Sequence, residues 1–321
     1  MSTQTTTAAQ DGVTTQGPTL IIGPAPYVHA PLTRQAILAV FITAVVPVLG
    51  VATYFFGWRA LGVAVAAVAG AYGAEVVAHW ARQRSLFGSP GPALVTGLVL
   101  ALALPPAVPL WIPFIGAFFG VLVAQELFGG YGYQIFHPAM VGWVFLVISF
   151  PSFMEGWLEP FELVTAATPL SQIRAGAGPD LWTLFAGTTA GALGETSVPA
   201  ILLGGLLLLV TRVADWRPVV GMLGTVALMG WAFTGNPLAE LMAGAALFGA
   251  FFVATDPVTT PLTRWGRFLF GVGVGLVMMV IRLWASRPEG VAFAILFMNS
   301  LVPLVNLLTR PRPKKGATAG A

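Results

Sequence analysis

"RQAILAVFITAVVPVLGVATYFF", residues 34–56, carries no charge after its first residue. A helix over this run rises about 34 Å at 1.5 Å per residue, enough for a hydrocarbon core of roughly 30 Å. It is apolar on every side, as expected of a helix whose solvent is lipid. The run at 59–81 repeats the pattern. "PALVTGLVLALALPP", residues 92–106, does not. It offers about a dozen helical residues before Pro105 and Pro106, a rise of only ~18 Å. "HPAMVGWVFLVISFP", residues 137–151, is equally short. Half-length or broken helices in a bilayer characteristically line a binding site, because their ends present unpaired N–H and C=O groups. Simple tilting or extension of these two spans is the plainer alternative.

Composition agrees with a lipid environment. Of 321 residues 57% are hydrophobic and only 8% charged, against about 25% charged in a soluble domain. Mean hydropathy is +0.85. Fifteen Lys and Arg stand against twelve Asp and Glu. This surplus is too small and scattered for nucleic acid. The absence of cysteine excludes disulfides and thiolate-held iron–sulfur clusters within the chain. His29, His79 and His137 lack the spacing of metal ligands, and no glycine-rich dinucleotide fingerprint is present.

The sequence predicts an all-α integral membrane protein with about ten spans, near 34–56, 59–81, 92–106, 108–127, 138–151, 197–214, 218–235, 237–254, 267–285 and 291–309. A polar tail expected to be disordered (1–25) precedes a first membrane half (26–151). A loop (152–196), a second half (197–310) and a basic tail (311–321) follow. Arg82 and Arg84, Arg212 and Arg217, Arg264 and Arg267, and "RPRPKK" at 310–315 then share one side. That side, with both termini, is expected to be cytoplasmic. The loop is acidic and faces outward, as for a multi-pass protein of a bacterial inner membrane. Five spans per half insert the halves oppositely, the arrangement of an inverted repeat with a site near the midplane.

Polar residues inside such spans are costly and mark contacts or pathways. Glu75 and His79, four apart on one helix face, form either a mutually satisfied pair or part of an ion path. Arg282 is expected to snorkel or to pair with an acid of the loop. Trp58, Trp111, Trp157 and Trp284 fall near span ends and suit interfacial anchoring. In the loop, "ELVTAATPLSQIRAG" (162–176) is a polar, threonine-rich turn, and Pro169 biases Thr168 toward an extended backbone.

Five stretches in order carry a resemblance: "GSPGPALVTGLVLALALPP" (88–106), "GGYGYQIFHPAMVGWVFLVISFP" (129–151), "GETSVPAILLGGLLLL" (194–209), "FVATDPVTTPLTRWGRFLFG" (252–271) and "RPEGVAFAILFMNSLVPL" (287–304). Together they resemble the D subunit of the Rnf complex, the ion-pumping NAD–ferredoxin oxidoreductase, over about residues 26–312. The B subunit of the sodium-pumping NADH–quinone oxidoreductase is a more distant likeness. The resemblance implies covalent FMN, joined by a phosphoester to Thr168 in the motif Thr165-Ala166-Ala167-Thr168. Threonine stands at the first position, where serine or aspartate is usual. It also implies a non-covalent riboflavin, for which the candidate residues are Thr96, Gly97, His137, Pro138, Thr255 and Asp256. His137 occupies a position commonly held by asparagine, and Gly88-Ser89-Pro90 one commonly held by an acid.

His137 as a cap of span five, and Asp256 as a cap near span nine, are the structural alternatives. Glu75 and Asp256 are the candidates for an ion path. The function so implied is electron relay through flavin, coupled to movement of Na⁺ or H⁺. NADH-oxidising, iron–sulfur and second covalent-flavin subunits would be the partners, so the chain is not a complete enzyme alone. The alternatives are the quinone-reductase B subunit, or a flavin-free channel or transporter with the same architecture.

Overall fold

The long apolar runs become long helices. The computed structural model describes residues 33–82, 91–162, 164–285 and 289–311. The polar tail, His29, Arg84, Gly88-Ser89-Pro90 and the basic tail beyond Pro311 lie outside these residues. Helix α1 covers Arg34–Phe56 and α2 Trp58–Ala81. Two short helices follow, α3 (Gly91–Leu102) and α4 (Trp111–Val121), and α4 continues through a π turn, Leu122–Glu126. Helix α5 (Pro138–Ser149) closes the first half. The loop carries α6 (Pro169–Arg174) and α7 (Leu181–Ala186). The second half comprises α8 (Val198–Val210), α9 (Trp216–Met229, ending in a π turn at Gly230–Thr234), α10 (Pro237–Met242) and α11 (Ala246–Phe248, running into a π turn at Gly249–Val253). It ends with α12 (Arg264–Trp284) and α13 (Val291–Thr309).

Helices α1, α2, α12 and α13 are long and apolar enough to cross a membrane. Shorter apolar helices cover 91–102, 111–126, 138–149 and 198–210. Tyr54, Val65, Leu203, Val210, Leu228 and Leu307 each expose more than half of their surface. Water would penalise this exposure and lipid does not. The chain is therefore a multi-pass membrane protein with an all-helical frame. The only β pairing among the described residues is two isolated bridges, Leu158–Thr165 and Leu158–Gly191.

Without a hydrophobic drive between helices in lipid, association relies on close van der Waals packing of small residues. Helix α2 illustrates this: Ala60, Ala64, Ala67, Ala71, Ala74 and Ala78 are buried. It packs on α3 and α4, and α4 packs on α5. In the second half α9 packs on α12, and α12 on α13. A Cβ on Gly70 would stand 2.1 Å from the Phe114 carbonyl oxygen, and one on Gly271 would stand 2.2 Å from that of Pro218. Only glycine permits either approach. Helix α1 also packs on α8, and α5 on α13.

One expected span is not a single helix. Over 237–254 the chain forms α10, a break at 243–245, and α11 with its π turn. Gly244 adopts φ 63°, a left-handed backbone that glycine takes without strain. Arg282 caps the break. Its Nη1 donates to the Glu240 carbonyl at 2.6 Å and its Nη2 to the Ala243 carbonyl at 2.8 Å. The guanidinium thus satisfies carbonyls left open by the interruption.

Candidate functional site

Thr168 is the N-cap of α6. Its backbone is extended (φ −63°, ψ 150°), as Pro169 demands. Its half-buried hydroxyl donates to Ser171 Oγ at 3.3 Å and accepts from the Ser171 N–H at 3.4 Å. Ser171 Oγ donates back to the Thr168 carbonyl at 2.7 Å. The preceding residues are held by short extended pairing. Glu159 N–H donates to the Val164 carbonyl at 2.9 Å, and Ala166 N–H to that of Trp157 at 3.1 Å. Thr165 and Ala167 are exposed, and Ala166 is half-buried. Arg174, in the last turn of α6, donates to the carbonyl of Ala285 just past α12. The motif is therefore held on its N-terminal side by pairing within the loop and on its C-terminal side by the end of α12.

Thr168 lines a cleft of about 380 Å³ with Trp157, Thr189, Glu195, Met242 and Glu289. Trp157, Leu170, Glu195, Gly244 and Glu289 also border a second space of about 520 Å³, so the two adjoin. That space runs inward between Met140, Trp143, Phe248, Arg282 and Val291. Its walls are mainly apolar, with the Arg282 guanidinium and the Glu195 and Glu289 side chains among them. Arg282 pairs with the Glu240 carboxylate at 3.1 Å, both side chains being almost wholly buried. It pairs with α10, not with an acid of the loop and not by snorkelling. Its Nε has no partner. Glu195 rises from 4.5 to about 7, mainly through burial and then through the negative charge of Glu289.

The second constellation lies between α1, α3, α5 and the 254–260 turn. Thr96, His137, Pro138, Thr255 and Asp256 meet around a cleft of about 570 Å³, with Tyr131, Gln134 and Phe252. Five of the six residues singled out for it converge there. Gly97 does not line it; a Cβ there would stand 2.6 Å from Val68 Cα, so it admits α2 to α3. His137 Nδ1 and Gln134 Oε1 are buried without partners. Burial holds His137 below its usual range against the pull of Asp256. Tyr131 is pushed up to about 12 by burial, then by Asp256. Asp256 Oδ2 accepts from the Thr259 N–H at 3.0 Å and its hydroxyl at 2.8 Å, capping the turn while still facing the cleft.

Sequence reasoning overlooked three groups. Asn299, fully buried on α13, accepts the His137 N–H at 3.1 Å and donates to the Thr259 carbonyl at 3.1 Å. It joins both sides of the second cleft. Glu240 was not connected with Arg282. Gln125 and Glu126 are buried beside Glu75: Gln125 Nε2 donates to Glu75 Oε1 at 3.3 Å. Glu75 takes this bond, and His79 is half-buried at the next turn. In each case the available signal was one or two polar residues inside an apolar run.

A sequence model described as the NQR2, RnfD, RnfE family matches residues 21–315. The D subunit of the proton-translocating ferredoxin:NAD(+) oxidoreductase complex of Clostridium ljungdahlii is 34% identical, over 90% of this chain and 94% of its own length. The D subunit of the ion-translocating oxidoreductase complex of Citrobacter koseri is also 34% identical, over 91% of this chain and 97% of its own. Its counterpart in Salmonella enteritidis matches to the same extent.

Proposed function

From the premise that this chain belongs to the NQR2, RnfD, RnfE family, we propose that it is the flavin-bearing membrane subunit of an Rnf-type complex. It serves electron transfer between NADH and ferredoxin, coupled to translocation of Na⁺ or H⁺. The subunits that oxidise NADH, hold iron–sulfur clusters and carry a second covalent flavin are its partners. The frame is ten crossings in two oppositely inserted halves. The matched pairings α2–α4 with α9–α12, and α4–α5 with α12–α13, support this. Both termini lie in the cytoplasm of a bacterial cell and the α6 loop lies outside.

The observation that carries the reading is the position of Thr168. It lines a cleft adjoining a mainly apolar space of about 520 Å³, within the range of ligand pockets. The residues fit FMN esterified at Thr168. Ser171 N–H and Oγ lie within reach of the ester position. Ala166 and Ala167 leave room for approach. Trp143 and Trp157 offer flat apolar walls, and the orphaned Arg282 Nε offers a donor. Flavin held there supplies one- and two-electron redox chemistry. The chain's part is to tether, orient and shield: the ester keeps the local concentration high whatever the intrinsic affinity.

The second cleft fits a non-covalent riboflavin. His137 Nδ1 and Gln134 Oε1 are buried polar atoms without partners, as expected of groups that meet a ligand's polar edge. Thr168→Val, made alongside the flavin transferase, is the test. The wild-type band fluoresces after denaturing electrophoresis and the variant band is dark. A variant as fluorescent as wild type would place the attachment elsewhere.

A further inference from the structure

The starts of α9 and α12 bring together a charged group that lines neither cleft. Asp215 Oδ2 accepts from Arg217 Nη1 at 2.9 Å and from Arg267 Nη1 at 2.8 Å, so one carboxylate holds a guanidinium from each helix. Asp215 Oδ1 accepts from the Arg217 N–H at 3.0 Å and from its Nη1 at 3.2 Å. Arg267 Nε donates to the Pro261 carbonyl at 3.0 Å. Among the described residues nothing bonds Nη2 of either arginine, and both side chains remain partly exposed. Arg264, three residues before Arg267 and so on the same face of α12, is exposed. The two helix starts thus carry three guanidinium groups and one carboxylate, a surplus of positive charge that faces outward.

Backbone contact fixes the spacing of the pair. A Cβ on Gly221 would stand 2.5 Å from the Phe268 carbonyl oxygen, and one on Gly271 would stand 2.2 Å from that of Pro218. Main chain therefore meets main chain one turn beyond each arginine, and Arg217 and Arg267 cannot drift apart. The Arg217 guanidinium lies over the Trp216 ring, 5.1 Å from its centroid, an attraction that orients the charge. Trp216 is 54% exposed and Trp265 72%. Exposed tryptophans at the ends of membrane helices mark the level of the lipid headgroups. Val220 and Leu269, just beyond the arginines, are about half exposed, as side chains that face acyl chains are.

We propose that Arg217 and Arg267 form a clamp for the phosphodiester of one anionic phospholipid. The phosphate takes the two outward Nη2 groups, one from each helix. Trp216 and Trp265 lie beside the glycerol, and the tails run over Val220 and Leu269. Guanidinium suits this role because its planar fork matches phosphate oxygens. Basic sites between membrane helices on the cytoplasmic side are of the kind that bind such headgroups. A zwitterionic lipid brings its own cation, which the surplus positive charge repels; phosphatidylglycerol brings none. The exposed tryptophans and apolar side chains favour lipid over an acidic polypeptide, since they supply the surface that glycerol and tails need. The choice of the inner leaflet rests on the proposed orientation, whereas the binding is independent of it and of both flavins.

The test uses the full-length protein purified in detergent. It is titrated with dioleoyl phosphatidylglycerol and, separately, with dioleoyl phosphatidylcholine, and bound lipids are counted by native mass spectrometry. Saturable binding of a single phosphatidylglycerol, in preference to phosphatidylcholine, is expected. Arg267→Met leaves Asp215 paired with Arg217 and should bind phosphatidylglycerol roughly tenfold more weakly. Arg267→Lys keeps the charge without the fork and should recover part of that loss. Equal binding of the two lipids by wild type would overturn the site. So would undiminished phosphatidylglycerol binding to a folded Arg267→Met variant. Displacement of the lipid by millimolar inorganic phosphate would make the site one for the free anion instead. In the complex extracted from membranes the lipid should be retained; its absence there, with cross-links from α9 and α12 to an acidic segment of another subunit, would assign this face to that subunit and overturn the proposal.

Discussion

The two clefts differ in how their buried polar groups are committed. In the cavity beside Thr168 the guanidinium is already engaged through both Nη atoms, with only Nε left open. Arg282 and Glu240 bond each other at 3.1 Å, and the guanidinium also holds two backbone carbonyls. The cleft at His137 is bordered by buried neutral groups whose bonding capacity is left open, His137 Nδ1 and Gln134 Oε1. A tethered ligand needs little from its walls beyond shape, because the ester sets its local concentration. A ligand held without a covalent bond must find polar partners, and orphaned buried atoms supply them.

That contrast can be broken at three places. The largest effect is expected at Arg282. Arg282→Met leaves Glu240 buried and unpaired, a cost of about 3–5 kcal/mol for a broken buried pair. Arg282→Met with Glu240→Met should recover the part due to the stranded carboxylate but not the part due to the Glu240 and Ala243 carbonyls, so the double variant loses less than the sum of the singles. Thermal unfolding in detergent measures both. Simple addition of the two single costs would mean that the pair does not form. A smaller effect is expected at Asn299. Asn299→Leu strips partners from the His137 N–H and the Thr259 carbonyl, at about 1–3 kcal/mol for each buried group left unsatisfied. Extractable riboflavin should fall while covalent flavin stays. Loss of the covalent flavin instead would show that the clefts are not separate.

The smallest effect is a pH dependence. Glu195 is raised from 4.5 to about 7 by burial and by Glu289. Between those values the folded loop holds a proton that the unfolded loop has released. Its stabilising contribution is complete below about 4.5 and is lost as pH rises through about 7. Amide-exchange protection of 187–196 should therefore be greater at pH 5.5 than at pH 8, and Glu195→Gln should flatten that difference. A wild-type profile flat across this interval would contradict the assignment.

Much of the frame was legible in the residues. The runs at 34–56 and 291–309 became α1 and α13 with those limits, because uninterrupted apolar length leaves a chain in lipid no alternative to helix. The shortness of α3 and α5 was equally plain from Pro105-Pro106 and His137-Pro138. The break inside 237–254 was not. The side chain that caps it, Arg282, lies 39 residues beyond Ala243, and no local propensity encodes such a partner. The π turn at Leu122–Glu126 was hidden for a related reason: its Gln125 faces Glu75 of α2, 50 positions away. Thr168 stood out through its motif, and the residues around it only through the fold, since Trp157, Glu195, Arg282 and Glu289 are scattered in sequence. Asn299 was visible as one amide in an apolar run, but its link to His137 spans 162 positions.

The claim on which the rest depends is covalent attachment at Thr168, and peptide mass spectrometry reads it directly. Protein made together with the flavin transferase is digested, and the peptide spanning 162–176 is fragmented. The account predicts the mass of FMN less one water, with fragments that locate it on Thr168. An unmodified peptide from that preparation, or a flavin on another residue, would contradict it.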